Sequence, residues 1–514
     1  MRRRAFVRSA GLAALGFPFV ARAWPARPSG RRPNILFIMA DDHASRAVGC
    51  YGSGLNRTPG IDRIAREGVR FDRCFCTNGI CAPSRAAILT GKHSHINGLL
   101  DNSVAFDGRQ PTFPKLLRDV GYETALVGKW HLKSDPTGFD RWTILPDQGD
   151  YYNPDFIERG VRTRRPGYVT DILTDLAVEF LDARKAGDKP FLLMLQHKAP
   201  HRNWQPAQRH LSLYDGVAFP EPPTLFDDYA TRSRAAFEQE MTIRDHMTLE
   251  SDLKLGPPPG RLDPAQREAW ERAYGPKRAA FERARPEGDA LVRWKYRRYL
   301  QDYLGCIASV DEGVGRVLEA LDRTGLAGDT LVVYTSDQGF FLGEHGWFDK
   351  RFMYEEALRM PLLMRWPGRI RPGSISGEML SNIDFAPTFL DVAGLGKPAD
   401  MQGRSFLPVL LGRTVAGWPE SCYYHYYEFP DVHMAKRHYG VRTKRHKLIH
   451  FYNDIDAWEL YDLEKDPQEL RNVFADPSYA GVRRSLEAEL RRLRTFYRDD
   501  DPAGPSPRTP AGAL

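Results

Sequence analysis

Four continuous apolar runs in this chain each stop at a cluster of polar, chemically capable residues. Residues 34–40 (Asn-Ile-Leu-Phe-Ile-Met-Ala) stop at Asp41-Asp42. Residues 124–127 run into Gly128-Lys129-Trp130-His131, residues 191–195 into Gln196-His197-Lys198-Ala199-Pro200-His201, and residues 331–334 into Ser336-Asp337-Gln338-Gly339. A run that is apolar at every position makes a strand buried on both faces, the pattern of parallel sheets covered by helices. Helical periodicity at residues 170–185 and 304–324 separates the runs. The chain is therefore expected to be α/β, with a large, mixed, mostly parallel sheet flanked by helices and its site at the carboxyl ends of the strands.

At 514 residues the chain exceeds a single core, and 42% hydrophobic with 27% charged residues is ordinary for a soluble globular protein. The pattern places a large domain at residues 33–400, with a helical and loop insertion at 205–299 in which little chemistry is legible. A smaller α+β domain follows at 401–500, with strands at 439–443 and 447–452 joined by Lys444-Arg445-His446, a third at 458–461 and a helix at 481–497. The Pro/Ala-rich tail 501–514 is expected to be mobile. Residues 1–26 open with Arg2-Arg3-Arg4 before an Ala/Gly/Leu-rich run ending at Ala21-Arg22-Ala23, the pattern of a twin-arginine export signal handled by the Tat translocase. A membrane anchor is the alternative, but residues 9–21 are too few to span a bilayer. The mature chain is expected to start near Trp24 and to be periplasmic or secreted. The net charge of +7 suits an anionic substrate, and its spread along the chain argues against nucleic acid.

The densest chemical signal is Cys81-Ala82-Pro83-Ser84-Arg85-Ala86-Ala87-Ile88-Leu89-Thr90-Gly91. Pro83 fits the first turn of a helix and Gly91 its stop, which places Cys81 and Arg85 at an anion-attracting N-terminus. Alternatively, Cys81 is a buried thiol or joins Cys74 and Cys76 in a cluster. The six cysteines form no paired C-x-x-C motif, which disfavours structural zinc. Asp41, Asp42, Asp337 and Gln338 offer only oxygen, as a hard divalent cation requires, although Asp-Asp could cap a helix and Asp-Gln-Gly make a turn. Arg85, Lys129 and Lys350 are cations suited to an anionic group. His131 and His201 titrate in the range needed for proton transfer, or serve structure alone.

The pattern C-x-P-S-R followed by L-T-G resembles the type I, formylglycine-dependent sulfatases of the alkaline-phosphatase superfamily, and the resemblance extends over residues 34–472. It implies an alkaline-phosphatase-like fold and a Cys81 oxidised to Cα-formylglycine by a formylglycine-generating enzyme, inside the cell and before export. It implies Ca²⁺, or Mg²⁺, held by Asp41, Asp42, residue 81, Asp337 and Gln338, the last standing where many members have Asn. In the implied mechanism a hydroxyl of the hydrated aldehyde attacks sulfur with Asp337 as base, favoured by Arg85 and the metal. His201 protonates the leaving alcohol with help from Lys350, and His131 deprotonates the second hydroxyl to expel sulfate, while Lys129 helps neutralise the ester.

Residues 423–428 (Tyr-Tyr-His-Tyr-Tyr-Glu), with His433, Arg437 and His438, resemble bacterial sulfatases acting on 6-O-sulfated N-acetylglucosamine, as does Gly138-Phe139-Asp140 with Tyr151-Tyr152-Asn153-Pro154. The expected substrate is such a sugar in glycosaminoglycan or mucin glycans, contacted by His433, Arg437 and His438. The alternative for the aromatic residues is a place in the small domain's core. Other sulfatase specificities (iduronate 2-sulfate, sulfoglucosamine, aryl or choline sulfate), phosphonate or phosphodiester hydrolysis, and non-catalytic glycan binding are the competing functions.

Overall fold

The computed structural model describes residues 32–184 and 188–499. Residues 1–26, where an export signal is expected, and the expected tail lie outside the described residues. An eleven-stranded sheet forms the centre, in the order Ser374–Ser376, Val69–Phe75, Arg359–Arg365, Thr330–Ser336, Asn34–Ala40, Phe191–Gln196, Glu123–Lys129, Arg141–Leu145, Asp155–Glu158, Val161–Arg164, with Leu380–Ser381 also pairing Val69–Phe75. The four apolar runs are four adjacent parallel strands, buried at every position except Glu123.

Register decides where the chemistry emerges. Ala40 lies opposite Ser336, so Asp41 and Asp337 leave neighbouring strands side by side. Gly128 lies opposite Gln196, and this brings Lys129 and His197 to the same edge. Gly128 adopts φ +113, and a Cβ there would stand 1.9 Å from the Gln196 carbonyl oxygen, so only glycine permits this pairing.

The sheet is mixed at both ends: Arg359–Arg365 runs antiparallel to Thr330–Ser336 and Val69–Phe75, and Asp155–Glu158 runs antiparallel to Arg141–Leu145 and Val161–Arg164. Val69–Phe75 carries Arg70, Asp72 and Arg73 among its apolar residues, which hid it from a search for continuous runs. Helices Val169–Asp182 and Gly288–Arg323 pack one face. The second is 36 residues long and starts well before the expected residue 304, because buried Val292, Tyr296, Tyr299 and Leu300 continue its apolar stripe into the insertion.

The smaller C-terminal domain is an antiparallel sheet ordered Ser421–Tyr426, His438–Thr443, His446–Phe451, Ala457–Asp462, covered by helix Ala480–Tyr497 through Leu486, Leu490 and Leu493. Alternation along Ser421–Tyr426 sends Tyr423 to the helix side and Tyr424 and Tyr426 into the main core. These tyrosines are buried packing residues, so the sugar-binding reading of them is corrected. Among the described residues no helix is long and apolar enough to cross a membrane.

Candidate active site

Helix Cys81–Thr90 is buried along its whole length and stops at Gly91, whose N–H bonds the Ala87 carbonyl at 2.8 Å with φ 64. Its N-terminus abuts the strand ends. Cys81 Sγ donates to Asp41 Oδ1 at 3.4 Å, and ligand atoms of Asp41, Cys81 and His201 lie within 4.8 Å of one another, as do those of Asp41, Asp42 and Asp337. All six cysteines are free, and among the described residues Cys74 and Cys76 join no metal-binding group with Cys81.

Three carboxylates face three cations, with Arg85 Nη2 also 3.7 Å from Asp41 Oδ1. Lys129 Nζ bonds Asp41 Oδ2, Lys350 Nζ stands 2.7 Å from both oxygens of Asp42, and Arg85 reaches Asp337 Oδ2 through Nε at 3.1 Å and Nη2 at 3.0 Å. Arg85 Nη1 is anchored to the Lys129 carbonyl at 2.6 Å and Gln196 Oε1 at 3.0 Å. Burial opposes ionisation of Asp41, yet Lys129 and Arg85 hold its carboxyl well below the usual range. Burial, countered by Lys350, raises Asp42 to about 6, and burial with Asp41's charge, countered by Arg85, raises Asp337 to about 7.

Gln338 donates its amide to Asp42 Oδ1, while its Oε1 is buried with no hydrogen-bond partner. An orphaned amide oxygen beside three crowded carboxylates is an all-oxygen donor set. It fits a hard divalent cation and not zinc. Asp41, Asp42, Asp337, Gln338 and residue 81 are the residues that would hold it.

His201 lies beside this cluster, its Nε2 3.8 Å from Asp42 Oδ2 and its Nδ1 bonding the Arg202 carbonyl at 2.7 Å. Burial and Lys129 keep its ring neutral. His131 is likewise neutral, pulled down to about 2 by burial and Lys129; its Nε2 is 3.5 Å from Asp147, and its Nδ1 is buried without a partner.

Residue 81 lies in the wall of a cavity of about 650 Å³, also lined by Asn102, Tyr151, His201, Lys350 and His433. His433 Nε2 stands 3.2 Å from Asp349 Oδ2, and its Nδ1 bonds the Glu240 carbonyl at 2.7 Å. Arg437 and His438 do not reach the cavity. The Arg437 guanidinium is spent on the Tyr427 and Phe429 carbonyls, and fully buried His438 takes the Met353 N–H and faces the Lys436 carbonyl. Both are withdrawn as substrate contacts, because neither lines the cavity and interior backbone groups hold them.

Sequence reasoning overlooked the insertion's contribution. Asp252 holds Arg202 through two 2.7 Å bonds and Asn203 through a third at 2.7 Å, fixing both at the cavity wall, and Arg261 lines the same wall, tied to Asp150 and Asp155. No local pattern marks Asp252, which lies 50 residues from Arg202. Lys198, in the strand-end segment that was legible, also lines the cavity.

A mostly parallel sheet that delivers acidic, basic and histidine side chains around a helix-terminal cysteine defines a hydrolase of anionic esters. The chain belongs to the sulfatase family, whose model, described as Sulfatase, matches residues 33–395. A second model, N-sulphoglucosamine sulphohydrolase, C-terminal, matches residues 343–496. The N-acetylglucosamine-6-O-sulfatase of Bacteroides thetaiotaomicron is 50% identical over 510 residues, covering 96% of this chain and 91% of its own. The N-acetylglucosamine-6-sulfatase of Homo sapiens is 28% identical over 538 residues, covering 93% and 86%. A solved structure described as a complex with its substrate D-glucosamine-2-N,6-O-disulfate superposes with a TM-score of 0.91 at 50% identity, covering 93% of this chain and all of that one.

Proposed function

We propose that this sulfatase removes the 6-O-sulfate of glucosamine or N-acetylglucosamine units in sulfated glycans, with residue 81 acting as formylglycine. The observation that carries the reading is 50% identity along nearly the whole chain to an N-acetylglucosamine-6-O-sulfatase, together with the 0.91 match to a structure holding a 6-O-sulfated glucosamine. Formylglycine at residue 81 supplies a hydrated aldehyde, with one hydroxyl for attack on sulfur and a second for release of sulfate. A divalent cation, Ca²⁺ or Mg²⁺, supplies positive charge to the sulfate oxygens and to the nucleophile.

The chain's own groups complete the chemistry. Asp337 takes the proton of the attacking hydroxyl, and Arg85 orients its carboxylate. Lys129 and Lys350 face the sulfate and offset the charge that grows on its oxygens. His201, with its Nδ1–H held by the Arg202 carbonyl, acts once Nε2 is protonated as the anionic ester binds, and gives that proton to the leaving sugar oxygen; His131 takes one in the release step. His433 contacts the sugar at the cavity wall. A twin-arginine leader carrying the folded enzyme to the periplasm, after modification by a formylglycine-generating enzyme, belongs to the same reading.

A panel of sulfate esters tests it. N-acetylglucosamine 6-sulfate is expected to be turned over, with iduronate 2-sulfate, aryl and choline sulfates and phosphonate or phosphodiester substrates slow or inert. Turnover confined to the N-sulfate of sulfoglucosamine, the chemistry named by the C-terminal family model, would replace this reading.

A further inference from the structure

The cations lining the active-site cavity fall into two groups. Lys350 faces Asp42, Arg351 faces Asp349, Arg202 is clamped by Asp252, and Arg261 is tied to Asp150 and Asp155. Away from the cavity lining, Arg85 and Lys129 are matched by Asp337 and Asp41. Lys198 stands apart. It is 4% exposed and lines the cavity, yet its Nζ has neither a carboxylate within ion-pair distance nor a hydrogen-bond acceptor among the described residues. Its one close partner is the face of Tyr151, 4.8 Å from Nζ to the ring centroid, and that ring is pinned by a 2.5 Å bond from its hydroxyl to the His201 carbonyl.

A buried ammonium without a counter-anion loses its hydration and recovers little of it from a ring face. Burial and the neighbouring Lys129 bring the Lys198 ammonium down to about 8, the mark of a charge short of a partner. The position is fixed by the sheet: Lys198 follows directly on strand Phe191–Gln196 and His197, and the bond from the His201 N–H to the Lys198 carbonyl at 3.0 Å closes the turn. A lysine at such a place, poorly solvated and held on an aromatic face, is arranged to meet an anion arriving from the cavity.

We propose that Lys198 receives a second anionic group of the substrate, distinct from the sulfate ester that is cleaved, and thereby sets a preference for doubly charged glycans. Two sources share this chemistry: an N-sulfate on the same glucosamine, or the carboxylate of a neighbouring uronic acid. The assignment rests on the 6-O-sulfated glucosamine reading above.

The test compares kcat/KM of the wild type, Lys198→Gln and Lys198→Arg on three 6-sulfates: N-acetylglucosamine 6-sulfate, N-sulfoglucosamine 6-sulfate, and a uronic-acid disaccharide of N-acetylglucosamine 6-sulfate. The wild type is expected to favour one of the two doubly charged substrates over the first. Lys198→Gln is expected to cut that preference about tenfold or more, chiefly through KM, with Lys198→Arg restoring most of it. The substrate whose advantage disappears identifies the anion. An equal loss on all three, or no loss on any, overturns the assignment while leaving the 6-sulfatase reading intact. A wild type idle on all three overturns that reading and the assignment with it.

Discussion

Lys350 Nζ is equidistant, at 2.7 Å, from the two carboxylate oxygens of Asp42, and both side chains are buried. The pair joins two segments about 300 residues apart in sequence: Asp42 follows a central strand, and Lys350 sits in the loop after strand Phe348–Asp349. With Lys129–Asp41 and Arg85–Asp337 it makes a floor of fixed charges around residue 81. Such a floor needs little reorganisation when an anionic ester arrives, which is how preorganised charge accelerates transfer.

Breaking the pair from one side leaves a buried charge uncompensated. Lys350→Met is expected to lower stability by about 3–5 kcal/mol and kcat by roughly 100-fold or more. Denaturant titration and steady-state kinetics check both, and near-native values for both would mean the pair is incidental.

Metal removal should act on stability as well as rate, because Asp42 and Asp337 are raised by burial and by a neighbouring carboxylate, and Gln338 Oε1 has no partner. Chelation is expected to abolish sulfate release and lower the melting midpoint, and Ca²⁺ or Mg²⁺ is expected to restore both by binding the folded state. Zn²⁺ restoring activity better than Ca²⁺ would contradict the oxygen-only site.

Asp252 tests the insertion's part. Burial opposes its ionisation, but the bonds from Arg202 keep it below the usual carboxylate range. Asp252→Asn keeps the shape and loosens Arg202 and Asn203. KM for the 6-sulfated sugar is expected to rise about tenfold with kcat within roughly threefold. An unchanged KM would make the clamp purely structural.

Acid should unfold this protein through its histidines. Burial pulls His43, His93 and His438 down to about 3 and His197 to about 4. Their unfolded forms take up protons near pH 6.5 while the folded forms do not. The unfolded state therefore binds more protons between about pH 6.5 and 4, and stability present above that window is lost as pH falls through it. Each histidine contributes at most about 1.4 kcal/mol per pH unit. These four side chains are expected to cost several kcal/mol of unfolding free energy between pH 7 and pH 5, offset in part by buried carboxyls such as Asp311 and Asp384, which burial raises to about 6 and which take up protons in the folded state over the same window. A His438→Gln variant whose stability-against-pH profile matches the wild type would contradict neutral burial.

The four central strands were legible because full burial writes a continuous apolar run, and polar residues just past the runs converge beside residue 81. The mixed part of the sheet was not legible, since Val69–Phe75 alternates charged with apolar residues. Composition misled at the small domain. Tyr423, Tyr424, Tyr426, Arg437 and His438 are types suited to sugar recognition, yet the fold turns them inward. Asp252 was invisible because its meaning depends on a long-range contact with Arg202.

The mass of the peptide carrying residue 81, from protein made in cells that contain a formylglycine-generating enzyme, tests the central claim most directly. Conversion of thiol to aldehyde predicts a loss of about 18 Da, creating the nucleophile that covalent sulfate transfer requires. An intact thiol in protein that nonetheless releases sulfate would contradict the account.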